Sequence, residues 1–449
     1  MESDSETDIT NSEHGINKNV TDFASVPEDF HGKIQKGHLI FDANFESGNL
    51  GKVVYISDFE YDIFIRPDSC NNKYRVWFNF IVKNVCRDQR AIFNIVNCSK
   101  TKSLYRDGMS PVVKSTSRNQ WVRIRSNQVY YYRSPRYNYH YVMAFIFAFD
   151  IEEDYQFAYC FPYTYSQLQT FLYNLDLKGL PYYKRELLCL STQQRRVDVL
   201  TITNEKNIGN SNNCKIVVIT ARVHPGETPA SYVCEGLIKF LIKNTIESEN
   251  LREHIIFKIV PMLNPDGVYL GNYRCCLMGF DLNRHWSNPS PWAHPTICAT
   301  KNLLINLTHS PVNNVEFYID IHAHSTMKNG FMYGNIFDDV TRANRQAILP
   351  QLLSNNTEDF SMSNTSFNKD EIKAGTSRRI FGGVLDEYAY CYTLEVSFFS
   401  YLPKSDGVAS NATKMQLYNE FSYMKLGENV GKTLIDYYKQ NGLIAVNVN

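Results

Sequence analysis

The chain has 449 residues, 43% of them hydrophobic and 14% aromatic, with 46 Lys and Arg against 46 Asp and Glu. That length and apolar content support a sizeable core in two domains and exclude a chain disordered throughout. The charge balance leaves no global field to attract nucleic acid or a membrane surface, the longest apolar run, 141–149, is far too short to span a bilayer, and no secretory leader opens the sequence.

Residues 1–37 begin acidic, with eight Asp and Glu against Lys18 in the first 30, and read as a disordered tail. Over 38–161 the texture changes to short alternating strands, at 52–57, 74–82, 120–124, 128–132 and 141–149, parted by turn clusters such as Arg66-Pro-Asp and Arg106-Asp-Gly. Strands at that spacing without helices predict an antiparallel β-sandwich domain. From 162 to 449 helix and strand alternate, which predicts an α/β domain with a mixed sheet. It opens with a helix over 165–177 and strands near Leu187 and Val197, has a surface loop over 354–369, and closes with a helix over 414–438 despite Gly427 and Gly431. Eleven Cys without a Cys-x-x-Cys pair fit the reduced thiols of a cytoplasmic protein.

The chemistry begins in the second domain. An apolar, β-branched run over 214–220 reads as a buried strand, and a helix follows with Thr228 as its N-cap and Pro229 as its first residue. His224 and Glu227 therefore lie on a strand-to-helix turn, the edge of an open sheet where ligands bind. Two His and one carboxylate are a common Zn²⁺ set, although a lone His-x-x-Glu is as often a plain surface turn. His322, closing the apolar run 315–321, qualifies as the third ligand. His324 is expected to point the other way as a wall residue, and Asp320 either orients a ligand or is a structural charge. Arg274, Asn283 and Arg284 put two guanidinium groups and an amide in one segment, suited to carboxylate recognition or else a solvated basic loop. Glu395 ends the β-forming run 390–395, where a carboxylate is costly unless it is paired or used as a base.

Together, His224-Pro-Gly-Glu227, Asn264-Pro-Asp-Gly267, Asp281-Leu-Asn-Arg284-His-Trp, Ile319-Asp-Ile-His322-Ala-His and Tyr392-Thr-Leu-Glu395 resemble the zinc metallocarboxypeptidases. More narrowly, the stretch from Ala221 to Ala230 and the strand-rich residues ahead of the catalytic domain resemble the cytosolic carboxypeptidase branch. The resemblance implies one Zn²⁺ per chain on His224, Glu227 and His322, with Glu395 as the base. It implies Arg274 at the oxyanion, and Asn283 and Arg284 on the substrate's terminal carboxylate. It also implies a cytoplasmic, cytoskeleton-associated enzyme that removes glutamate from acidic protein tails or polyglutamate side chains, as on tubulin. A Glu side chain entering such a pocket needs a further cation; the candidates lie in Lys373-Ala-Gly-Thr-Ser-Arg378-Arg379, where the resemblance favours Arg378 over Lys373 and Arg379, unless these are solvent-facing loop charges. The family's active-site tyrosine falls among Tyr388, Tyr390 and others. A zinc amidase on small N-acyl substrates shares the ligands, and a non-catalytic tubulin-binding protein would share the fold.

Overall fold

The computed structural model describes residues 16–208, 214–308, 314–385, 389–404 and 414–445. The chain divides into two compact units, the first running to Tyr159 and taking in Leu270–Asn272, the second holding most of the remainder. All eleven cysteines are free thiols, and no helix among the described residues is long and apolar enough to cross a membrane.

The first unit contains β1 (Phe23–Ala24), β2 (Ile40–Asp42), β3 (Lys52–Ser57), β4 (Glu60–Phe64), β5 (Asn79–Lys83), β6 (Arg90–Ile95), β7 (Val112–Ser115), β8 (Val122–Arg123), β9 (Val129–Ser134), β10 (His140–Ala148) and β11 (Tyr155–Ala158). They form a six-stranded sheet, β1-β2-β5-β11-β7-β8, and a five-stranded sheet, β3-β4-β6-β10-β9. The described pairings are antiparallel except that of β4 with β6. Aromatic rings from one sheet meet those of the other: Phe93 lies 6.0 Å from Phe41, 6.1 Å from Phe80 and 5.5 Å from Phe157, and Phe145 lies 5.5 Å from Phe157. The two inner faces thus close one aromatic core, the packing of a sandwich. The expected tail is shorter than the charge pattern suggested. Phe23–Ala24 pairs with Ile40–Asp42 and Ile16 is buried, because a few apolar residues in an acidic stretch suffice to extend an existing sheet edge. Residues 1–15 lie outside the described residues.

The second unit contains, in order, α1 (Tyr165–Asp176), β12 (Tyr183–Leu190), β13 (Arg196–Ile202), β14 (Lys215–Ala221), α2 (Thr228–Leu241), α3 (Ile246–His254), β15 (Ile255–Val260), α4 (Pro265–Leu270) and α5 (Pro295–Thr308). There follow β16 (Asn314–His324), β17 (Gly330–Gly334), α6 (Val340–Asn356), β18 (Ser366–Phe367), α7 (Ser377–Val384), β19 (Tyr390–Ser397), β20 (Ser400–Tyr401), β21 (Gln416–Leu417) and α8 (Glu420–Gln440). An eight-stranded mixed sheet has the order β12-β13-β15-β14-β16-β19-β17-β18. At its centre β15, β14, β16 and β19 run parallel, which brings their carboxyl ends to one edge. The expected loop 354–369 instead begins in the last turn of α6 and contains β18, whose pairing with β17 a local reading of polar residues cannot reveal.

The two glycines that argue against a closing helix are what let it pack. A Cβ on Gly427 would come 1.9 Å from the Val233 carbonyl oxygen, one on Gly236 would come 2.0 Å from that of Met424, and one on Gly431 would strike the Phe240 ring at 2.3 Å. α2 and α8 therefore cross backbone against backbone, and burial at the crossing outweighs the helix propensity that glycine costs, about 1 kcal/mol per residue. Gly427→Ala is expected to destabilise the protein by about 1–3 kcal/mol through overpacking. Gly383→Ala, on α7 with nothing within 4 Å of the new methyl, should stabilise by about 0.5–1 kcal/mol. Denaturant midpoints of the two variants check both signs.

Candidate active site

β14 ends at Ala221, and the chain turns through Arg222-Val-His-Pro-Gly-Glu before α2 starts at Thr228. The helix begins one residue earlier than expected, with Glu227 in the N-cap position, and its carboxylate makes no capping bond because it is used elsewhere. Arg222 adopts a left-handed conformation, φ 58°. Its buried guanidinium returns to the turn, Nε donating to the Pro225 carbonyl at 2.7 Å and Nη1 to Ser231 Oγ at 2.8 Å. Asn264 Nδ2 donates to the Val223 carbonyl at 3.1 Å, so the Asn-Pro-Asp-Gly segment clamps the same turn from the neighbouring strand. Gly226 is required by contact: a Cβ there would lie 2.5 Å from the Tyr273 ring.

These constraints aim His224 and Glu227 at His322 near the carboxyl end of β16. Glu227 Oε1 lies 2.8 Å from His224 Nδ1, and Oε2 lies 3.0 Å from His322 Nδ1 while accepting the Ala323 N–H at 3.0 Å. All three residues are buried, and one ligand atom from each falls within 4.8 Å of the others. The outer nitrogens face carboxylates, His224 Nε2 at 3.1 Å from Asp281 and His322 Nε2 at 2.8 Å from Asp320. A carboxylate on each Nε2–H fixes the tautomer that turns both Nδ1 lone pairs inward, as metal-ligating imidazoles require. Two His, one carboxylate and these orienting acids fit Zn²⁺. Burial alone would raise the Glu227 carboxyl, but the two imidazoles outweigh it and hold it well below the usual carboxylate range.

His324 is not part of this group. Residues two apart on a strand share a face, so alternation does not turn it away as expected. Position separates the two: His322 pairs with Glu395 and His324 with Ser397, where His324 Nδ1 accepts the Met327 N–H at 3.1 Å. Asp320 is an orienting residue, fully buried and satisfied by Thr220 Oγ1 at 2.7 Å and Ser377 Oγ at 2.8 Å. Asp281 has no counterpart in the sequence argument. It holds His224, accepts the Asn283 N–H at 3.0 Å and binds Arg274 through Nε and Nη2, each at 2.7 Å. Only its place in the Asp-Leu-Asn-Arg motif could have signalled it.

Glu395 is the one part-exposed residue of β19, and its carboxylate makes no hydrogen bond or ion pair among the described residues. Burial pushes its carboxyl up, opposed by the charges of His322 and His324. Asn283 is buried, its Oδ1 accepting the Ser377 N–H at 3.1 Å and its Nδ2 lying 3.3 Å from His322 Nε2. Arg284 beside it is part-exposed, with Nη1 donating to the Asn283 carbonyl at 3.0 Å. Arg378 lies beneath the site instead of lining it. It is 1% exposed and donates to the Gly334 carbonyl, to Asn335 Oδ1 at 2.7 Å and to Asn368 Oδ1 at 3.3 Å, and burial lowers its pKa to about 10. The half-buried cation of this region is Lys373, 3.8 Å from the centroid of Tyr333. Burial lowers its pKa, and the charges of Asp370, Arg378, Glu395 and Arg284 all act on it. Tyr390 is buried against Phe317, and Tyr388 lies outside the described residues.

Residues 186–418 match the zinc carboxypeptidase family and residues 41–149 the cytosolic carboxypeptidase N-terminal domain. The chain belongs to the cytosolic carboxypeptidases. A mouse relative, cytosolic carboxypeptidase 6, is 58% identical over 97% of this chain and 80% of its own length. The protein of that name from Caenorhabditis elegans is 47% identical over 92% and 90%. A metallo-carboxypeptidase from Burkholderia cenocepacia shares the fold, with a TM-score of 0.74 and 20% identity, covering 90% of this chain and all of its own. This is therefore a metallocarboxypeptidase, and its family implies the zinc that the His-Glu-His group fits.

Asp281→Asn is expected to lower this carboxypeptidase's zinc affinity by roughly 10–100-fold, the usual effect of losing a carboxylate behind a ligating imidazole. Chelator competition measures it, and an unchanged affinity would mean that Asp281 serves Arg274 alone.

Proposed function

We propose that this carboxypeptidase removes C-terminal glutamate from acidic protein tails or polyglutamate side chains, tubulin among the candidate substrates, in the cytoplasm and in association with the cytoskeleton. The observation carrying this reading is the group of cations around Glu395. Arg378 and Arg284 act on Lys373, which also feels the anions Asp370 and Glu395. A substrate that brings two carboxylates, one terminal and one on its side chain, answers that excess, whereas an apolar terminal residue leaves it unrelieved. The names of the relatives, cytosolic carboxypeptidases, support the compartment.

In this reading His224, Glu227 and His322 would hold one Zn²⁺ per chain, which would supply Lewis-acid polarisation of the scissile carbonyl and of water. Glu395, whose carboxylate has no hydrogen-bond or ion-pair partner among the described residues, takes the proton of the attacking water and delivers it to the leaving amine nitrogen as the C–N bond breaks. Its raised pKa suits both steps. Arg274, immobilised by Asp281, stabilises the negative charge gathering on the peptide oxygen. Arg284 binds the terminal carboxylate together with Asn283, whose backbone carbonyl accepts from Arg284 Nη1. Lys373 reads the glutamate side chain directly, and Arg378 adds positive potential from below.

Glu395→Gln should keep zinc and lose hydrolysis, since the change removes the base and leaves the ligands intact. Appreciable turnover by zinc-loaded Glu395→Gln would place the base elsewhere. Lys373→Ala should cut kcat/KM for a Glu-ended peptide by about tenfold or more, as loss of a partly desolvated charge pair does, and spare a Leu-ended one. Equal losses on both peptides would remove Lys373 from specificity. Arg378→Ala is expected to lower stability as well as turnover of both peptides, because it deletes a buried donor set.

A further inference from the structure

Although the chain is neutral overall, residues 100–149 carry nine Lys and Arg against the single acid Asp107. Part of that charge is neutralised locally. Arg118 pairs with Asp150 at 2.7 Å, in the acidic stretch that follows, and Arg136 lies 3.5 Å from Glu60. A different arrangement holds on the outer part of the five-stranded sheet. β9 is its edge strand and pairs antiparallel with β10, Arg133 opposite Tyr141 and Tyr131 opposite Met143, so Tyr131 and Arg133, two apart on one strand, share a face.

On that face Tyr131 and Tyr141 stack at 5.0 Å with 8° between their planes. The Arg106 guanidinium lies 4.6 Å from the Tyr141 centroid and that of Arg133 lies 5.2 Å from it. Two exposed cations thus share one ring, and neither makes a hydrogen bond or ion pair among the described residues. A guanidinium held beside a ring by cation–π attraction still has N–H groups to offer an acceptor such as a carboxylate. Two exposed like charges on one ring repel modestly through water, and an anion bridging them turns that repulsion into attraction.

We propose that the Arg106–Tyr141–Arg133 cluster is a docking site for the acidic body of a polypeptide substrate, separate from the subsites that hold its terminal residue. The partner is a polypeptide because the chain's own active site acts on polypeptides. Its acidity rests on the reading given under the proposed function. On the same face the Tyr131 ring, stacked on Tyr141 and 5.9 Å from the Arg106 guanidinium, extends the platform on which the docked chain lies.

The experiment compares wild type with Arg106→Gln/Arg133→Gln on two substrates, a tripeptide ending in Glu and a long glutamate-rich polypeptide with the same terminal residues. Both side chains are exposed, so melting temperature and zinc content should match wild type. The expected result is tripeptide turnover within about twofold of wild type, with kcat/KM on the long substrate down by about tenfold and its salt dependence flattened. Equal losses on both substrates, or no loss on either, would overturn the proposal. A separate arm measures binding of fluorescent polyglutamate to zinc-loaded Glu395→Gln, which reads docking even if wild type fails to release glutamate. Weaker binding when the two Arg→Gln changes are added supports the site. Unchanged binding, or displacement of polyglutamate by a single-stranded oligonucleotide at lower concentration than by unlabelled polyglutamate, would overturn it.

Discussion

The catalytic unit depends on one buried carboxylate. Glu227 sits between two imidazoles and a backbone N–H, with almost no contact with water. A carboxylate in that position is costly unless every lone pair is answered, and the groups that answer it must be answered in turn. His224 leads to Asp281 and so to Arg274, while His322 leads to Asp320 and so to Thr220 and Ser377. Each link belongs to a different segment, so orienting the metal ligands and fastening β14, β16, the Asp281 segment and the start of α7 together are the same set of bonds.

Glu395 departs from that pattern. Paired with His322 across β16 and β19, it stands beside the same charges but accepts no hydrogen bond from the described protein. A carboxylate held by cationic and N–H donors, like Asp281, is kept in its ionised form. One that is only crowded has its pKa raised and can both accept and return a proton. Two acids of one sheet edge thus differ in acidity, one held down by two imidazoles and the other pushed up by burial.

The same comparison separates the arginines. Arg222 and Arg378 are buried and spend their donors on carbonyl and side-chain oxygens of the fold. Arg274 is fixed by a carboxylate, Arg284 keeps a partly exposed guanidinium, and Arg106 and Arg133 rest on an aromatic ring in the other unit. Neutral overall composition conceals these local excesses of positive charge.

Much of this was legible in the linear chain. Apolar runs followed by His, Glu or a strand-to-helix turn mark the carboxyl edge of a sheet, so His224, Glu227, His322 and Glu395 declare their residue type, spacing and chemistry without coordinates. Alternating aromatics likewise announce the sandwich. Burial and partnership were not legible, because they are sums over neighbours distant in sequence. Arg378 reads as a cation in a polar segment, and only the approach of Gly334, Asn335 and Asn368 puts it under the site. Asp281 is one acid among many until the fold sets it between His224 and Arg274. Gly427 and Gly431 count against a helix locally and are decided by α2 crossing at contact distance. Local pattern determines which groups the chain can offer; only the tertiary structure determines which are desolvated and what they touch, and those two terms set charge state, conformation and role.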